Sequence, residues 1–105
     1  MENTEIVRRL AYLREEKMHA CLATIVHASG STPRKVGAKM LFFVDGSTFG
    51  TVGGGCGERQ VKSAALRCLI NHGDAELIEV DLTAELGTRG GDVCGGRMKI
   101  FIEPI

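Results

Sequence analysis

Apolar and polar residues along this chain alternate between a helical period of about 3.6 and a strand period of about 2. Near the start, Ile6, Leu10 and Leu13 recur at helical spacing, with Val7 and Ala11 widening the stripe, and predict a helix over Asn3–Met18. Asn3 or Thr4 is placed to cap it, and Glu5 to complement its dipole. Ala20–Ala28 is a run of apolar and β-branched residues and predicts a buried central strand, with Cys21 packed as a small hydrophobe.

Next come Gly37–Val44 and Ser47–Val52, joined by Asp45-Gly46, the composition of a β-hairpin. Phe42 and Phe43 are neighbours in a strand and must face opposite ways. Either the sheet is covered on both faces or one Phe meets a second chain. A second helix follows over Gly57–His72, where Val61, Ala64, Ala65, Cys68 and Leu69 form one face and Gly73 gives the stop signal. Glu76–Leu82 and Arg97–Glu103 alternate cleanly and predict two more strands. The order is α-β-β-β-α-β-β. Two helices are too few for a doubly wound parallel sheet. The expectation is a single α+β domain over residues 1–105, a mixed sheet with both helices packed on one face.

The totals narrow the function classes. Lys+Arg and Asp+Glu both number 13, and aromatics make up 5% with no Trp, so neither a basic nucleic-acid surface nor a base-stacking platform is expected. No apolar run approaches the ~20 residues of a membrane helix. The acidic start Met1-Glu2-Asn3-Thr4-Glu5 is unlike a signal peptide, so the expected address is cytoplasmic, with the four cysteines reduced.

Three loops carry the chemistry. Ser29–Gly37 holds three hydroxyls, Pro33 and the adjacent cations Arg34 and Lys35. It is either a stiffened turn or a phosphate-contacting loop, since Arg34 suits bidentate contact with an oxyanion. Gly50-Thr51-Val52-Gly53-Gly54-Gly55-Cys56-Gly57-Glu58 leads from a strand into a helix. Its glycines admit close backbone approach, and its helix start suits an anion. The thiolate of Cys56 would be stabilised there, while Glu58 is either functional or a complement to the helix dipole. The third loop repeats the theme, with Gly90-Gly91 before Cys94 and Gly95-Gly96 after it. If the sheet brings these loops together, both thiols frame one cleft.

Other patterns fail. Gln60 stands where a dinucleotide fingerprint needs glycine, and no P-loop is present. His72 is the far end of the second helix from Cys56, roughly 20 Å at ~1.5 Å per residue, which leaves His27 as the other histidine considered as a base. A hydrogen-bonded structural histidine is the simpler reading of His27. A metal site built from Cys56, Cys94 and His27 is compatible with the residue types but not required by their spacing.

Four segments together resemble the N-terminal domain of the XdhC/CoxI family of molybdenum-cofactor chaperones. They are Ser29-Gly30-Ser31-Thr32-Pro33-Arg34 with Gly37-Ala38-Lys39-Met40, Asp45-Gly46, Gly50–Glu58, and Cys94-Gly95-Gly96. The resemblance implies a binding protein rather than an enzyme. Its cargo would be molybdenum cofactor (molybdopterin or its nucleotide form), bound transiently for sulfuration and insertion into a xanthine dehydrogenase-type molybdoenzyme. A cysteine desulfurase is an implied further partner. By position, Cys56 and Cys94 become contacts to molybdenum or its sulfur, and Gly53, Gly54, Gly55, Gly57, Glu58, Gly95, Gly96, Ser31 and Arg34 become cofactor contacts. Full-length members usually add a Rossmann-like domain, whereas this sequence ends at Ile105. It is therefore expected to be a short homologue, a fragment or half of a split pair, acting as a homodimer or with a separate Rossmann-like protein. Residue 57 is commonly larger and apolar in the family, and Gly57 is expected to loosen the turn. Two other classes remain open: a thiol-based redox protein or enzyme using Cys56 and Cys94, and a non-catalytic interaction subunit.

Overall fold

The computed structural model describes residues 2–16, 19–30, 32, 35–52, 57–70, 74–82 and 95–105. The order matches the expectation: α1 (Glu2–Glu15), β1 (Ala20–Ser29), β2 (Lys39–Phe43), β3 (Thr48–Gly50), α2 (Glu58–Ile70), β4 (Glu76–Asp81) and β5 (Arg97–Pro104). The strands form one five-stranded sheet in the order β3-β2-β1-β5-β4. The fold class is α+β, but the sheet is antiparallel at every pairing rather than mixed.

The helices lie on opposite faces, which corrects the expectation that they share one. Alternate residues of β1 divide between two cores: Cys21, Ala23 and Ile25 pack with Val61, Ala64, Ala65 and Cys68 of α2, whereas Ala20 and Leu22 pack with Ile6 and Leu13 of α1. β2 divides in the same way, with Phe42 buried on the α2 side and Phe43 packed on the α1 side. Of the two explanations for adjacent phenylalanines, coverage of both faces is the one realised. Each fully buried Ile or Leu contributes about 1.5–3 kcal/mol of apolar transfer, so both layers are needed to hold a sheet this small.

The α1 stripe is narrower than the sequence suggested. Ile6 and Leu13 are buried, but Val7 is 58% exposed and Ala11 is exposed as well. Asn3 and Thr4 lie inside the helix, which starts at Glu2 and not at a cap formed by either residue.

β1 carries one irregularity that matters for the site. Ile25 pairs with Ile100, but the next partners are His27 and Lys99, so Val26 is an extra residue in the ladder. Such a bulge shifts every following side chain to the other face. Ala28 therefore packs against the α2-side core, and the exposed His27 points to the opposite face.

Candidate functional site

Gly30, Gly57, Gly95 and Gly96 lie at one end of the sheet, where β1 and β4 end and β5 begins. Gly57 precedes α2 at φ 78°. A methyl group there would lie 2.7 Å from Val80 Cγ1 and 3.3 Å from Leu82 Cδ2, with Met98 Cε at 3.7 Å. Gly57 is thus clamped against the ends of β4 and β5, in a conformation that a side chain would strain. This corrects the looser turn expected from glycine at position 57: only a residue without Cβ fits this packing.

The end of β4 is tied in turn to the segment before β5, because the Leu82 amide donates to the Gly96 carbonyl at 2.9 Å. Gly96 touches the Ser29–Gly37 loop at Gly30. A methyl group on Gly30, at φ 72°, would stand 3.1 Å from Gly96 Cα and 3.7 Å from the Gly95 carbonyl oxygen. The three segments are therefore linked in series, Gly57 to Leu82, Leu82 to Gly96 and Gly96 to Gly30. The first link is glycine against side chains, the second a backbone hydrogen bond and the third a close approach of two backbones.

A cleft of about 520 Å³ opens at this junction, lined by Ala28, Gly30, Thr32, Lys35 and Val36. Its volume lies within the ~300–1,000 Å³ range of small-molecule sites. Lys35 supplies a positive charge at its wall. A larger cleft of about 540 Å³ lies between α1 and the β2–β3 turn, lined by residues such as Tyr12, His19 and Val44. None of the sequence-derived site residues borders it.

Glu58 takes a definite role. Thr51 Oγ1 donates to Glu58 Oε2 at 2.9 Å in a partly buried setting. These residues stand near the two ends of the Gly50–Glu58 stretch, so their bond closes the glycine turn. Glu58 also lies in the first turn of α2, where a carboxylate is favoured. Glu58 thus complements the helix start, one of its two readings, and also holds the turn. Thr51 was legible as part of the motif, but its pairing with Glu58 was not.

Of the candidate residues, Gly57, Glu58, Gly95 and Gly96 are placed as described. Cys56, Cys94, Gly53, Gly54, Gly55, Ser31 and Arg34 lie outside the described residues, as does His72. Gly57 adjoins Cys56, and Gly95 adjoins Cys94. The bulge turns His27 away from the α2 face. No group of three or more His, Cys, Asp or Glu suited to a metal ion occurs among the described residues.

Cys21 and Cys68 are buried and free. Burial first, and then the neighbouring Cys68 thiol, pushes the Cys21 thiol far above its ordinary range. Both therefore behave as packing residues, as the sequence suggested. Among the described residues no helix is long and apolar enough to cross a membrane.

The fold and the junction define a small α+β domain that gathers Gly30, Gly57, Gly95 and Gly96 at one end of an antiparallel sheet. The XdhC and CoxI family model matches residues 13–81, and the chain belongs to that family. It is 37% identical over 97 residues to an Escherichia coli K12 protein described as "Uncharacterized protein YqeB", covering 92% of this chain and 18% of that one. It is also 37% identical over 95 residues to a Bacillus subtilis protein described as a probable xanthine dehydrogenase subunit, covering 89% of this chain and 28% of that one. A crystal structure titled as a xanthine dehydrogenase from Bacillus halodurans superposes with a TM-score of 0.76 at 31% identity, covering 93% of this chain and 30% of that one. The chain thus spans less than a third of the length of each of these relatives.

Proposed function

We propose that this domain is an accessory module of a xanthine dehydrogenase-type molybdoenzyme. It binds molybdenum cofactor transiently and assists its sulfuration and insertion, without itself being an enzyme. The relatives' association with xanthine dehydrogenase supports the first statement. The observation that carries the second is the serial junction of Gly57, Leu82, Gly96 and Gly30 at one end of the sheet.

The residues fit such a cargo. Backbone made bare by glycine leaves space for a bulky pterin, and Lys35 and Thr32 border the adjoining cleft. Cys56 and Cys94 would meet the molybdenum or its sulfur, because soft thiolates suit a sulfur-ligated metal. Gly53, Gly54, Gly55, Ser31 and Arg34 would contact the pterin or its phosphate, as donors and cations at an oxyanion do. When bound, the cofactor supplies the redox-active metal that the target enzyme uses. This chain's part is to hold it, limit access to its sulfur and release it. The cysteine desulfurase, a Rossmann-like companion and a second copy of the chain belong to this reading as partners.

The test is retention. Cofactor released from a molybdoenzyme is mixed with the purified protein and separated by size. Co-elution with wild type, reduced in Cys56→Ala, is expected. Failure of wild type to retain cofactor at any ratio overturns the proposal. A reversible Cys56–Cys94 disulfide with a defined potential, in a protein that retains no cofactor, would favour a redox role instead.

A further inference from the structure

A third cleft, of about 460 Å³, lies between α2 and the β2–β3 hairpin. Its floor includes Met40 and Phe42, both 5% exposed, and Thr48 stands on its hairpin side. Glu58, Arg59 and Lys62 border it from α2, the two cations three residues apart and hence on one helical face.

Other arginines on the surface are engaged, Arg9 over the Phe49 ring at 4.0 Å and three in ion pairs. Arg8 faces Glu5, Arg67 faces Glu76 and Arg97 faces Asp81. Arg59 and Lys62 make no ion pair with any described residue. Lys62 has a carboxylate four positions before it, the spacing and direction that favour a helical ion pair. That carboxylate is Glu58, and it is turned instead to Thr51. Closing the glycine turn therefore leaves both cations free beside an apolar floor.

We propose that this cleft is a binding site for the phosphate group of a phosphorylated heterocycle. Arg59 and Lys62 hold the phosphate oxygens, Thr48 donates its hydroxyl, and the Met40–Phe42 floor supports the ring. Two oxyanion-binding cations beside a hydroxyl match a phosphate, and the buried aromatic floor matches a flat apolar group. The same chemistry is presented by a free nucleotide and by the phosphate end of a pterin cofactor. Through Glu58 the cleft borders the end of the Gly50–Glu58 stretch, and phosphate binding there can be measured without the cofactor.

Titration calorimetry with pyrophosphate and with a nucleoside monophosphate tests it on the intact chain. Wild type is expected to bind both, the nucleotide more tightly because of the floor. The double variant Arg59→Gln/Lys62→Gln is expected to weaken both by about tenfold or more, a change of about 1.4 kcal/mol or more. Both side chains are exposed, so its thermal unfolding should match wild type. Arg67→Gln, in the last turn of α2 and paired with Glu76, should leave phosphate affinity unchanged, and cofactor retention is read in a separate assay. Competition of pyrophosphate with bound cofactor would assign the site to the cofactor's own phosphate, and independent binding to a free nucleotide. No binding by wild type, unchanged affinity in the double variant, or an equal loss in Arg67→Gln would overturn the proposal.

Discussion

Replacing Gly57 with alanine tests the packing that sets the start of α2 and the neighbouring Cys56. The added methyl would sit 2.7 Å from Val80 Cγ1, closer than such contacts occur, and 3.3 Å from Leu82 Cδ2. Val80 is 1% exposed and Leu82 is fully buried. The β-branched Val80 has little rotameric escape. Overpacking of this kind costs about 1–3 kcal/mol, and the left-handed backbone costs alanine a further ~1–2 kcal/mol. The expected loss is about 2–5 kcal/mol, or roughly 10–30 °C in Tm for a domain near this size. Gly46→Ala is the control, because Gly46 has φ 93° but nothing within 4 Å of an added methyl. It carries the backbone strain without the overpacking, so Gly57→Ala should exceed it by about 1–3 kcal/mol in urea denaturation. Equal losses in the two variants would refute the claim that Gly57 is clamped against β4.

Thr51→Val removes the donor to a partly buried carboxylate and should cost about 1–2 kcal/mol in the same assay. It should also raise amide exchange near the start of α2 if that bond closes the turn. Cys21 and Cys68 should resist alkylation in the native protein at mildly alkaline pH and react only on unfolding, as mass spectrometry would show, since both are buried and Cys21 is pushed up. Asp45 lies in the hairpin turn and accepts from the Ser47 hydroxyl at 2.6 Å and the Ser47 amide at 2.9 Å. These bonds hold its carboxyl below the ordinary range. Its contribution to stability is therefore full above an ordinary aspartate pKa of ~3.9 and is lost as pH falls through the lower folded value. The Tm deficit of Asp45→Ala should be present at neutral pH and vanish in acid.

Much of the fold was legible because the periods are clean. Ile6, Leu10 and Leu13 set one helix, and Val61, Ala64, Ala65 and Cys68 set the other; both sets pack as helical faces. Both helices were expected on one side of the sheet, although the residues carried the signal for opposite sides. The unbroken run Ala20-Cys21-Leu22-Ala23 and the pair Phe42-Phe43 are apolar on both parities, which an antiparallel sheet tolerates only when both faces are covered. The α2 face was read and the α1 face was not. His27 shows a different limit. Alternation from Ile25 would put it on the α2 face, and one extra residue, Val26, reverses that. A bulge leaves no mark in apolar periodicity.

At the site, the cysteine–glycine segments were legible from composition, but the reason for each glycine was not. Gly57 is needed because Val80 and Leu82 stand against it, and Gly30 because Gly96 does. Those contacts join residues far apart in sequence. Glu58 was legible as a residue of interest, and only its distance to Thr51 showed what it does. The cleft bordered by Arg59 and Lys62 was not legible, because two cations on a helix read as a solvated face until the carboxylate beside them is seen to be engaged elsewhere.

The central claim is that the glycine segments bring Cys56 and Cys94 to one cleft that receives the cofactor. The most direct measurement treats the native protein with a short thiol-to-thiol cross-linker and maps the products by mass spectrometry, with and without bound molybdenum cofactor. A Cys56–Cys94 cross-link within one chain, absent from Cys21 and Cys68 and suppressed by the cofactor, is the predicted result. Cys56 and Cys94 that label singly and never join, with or without cofactor, would contradict it.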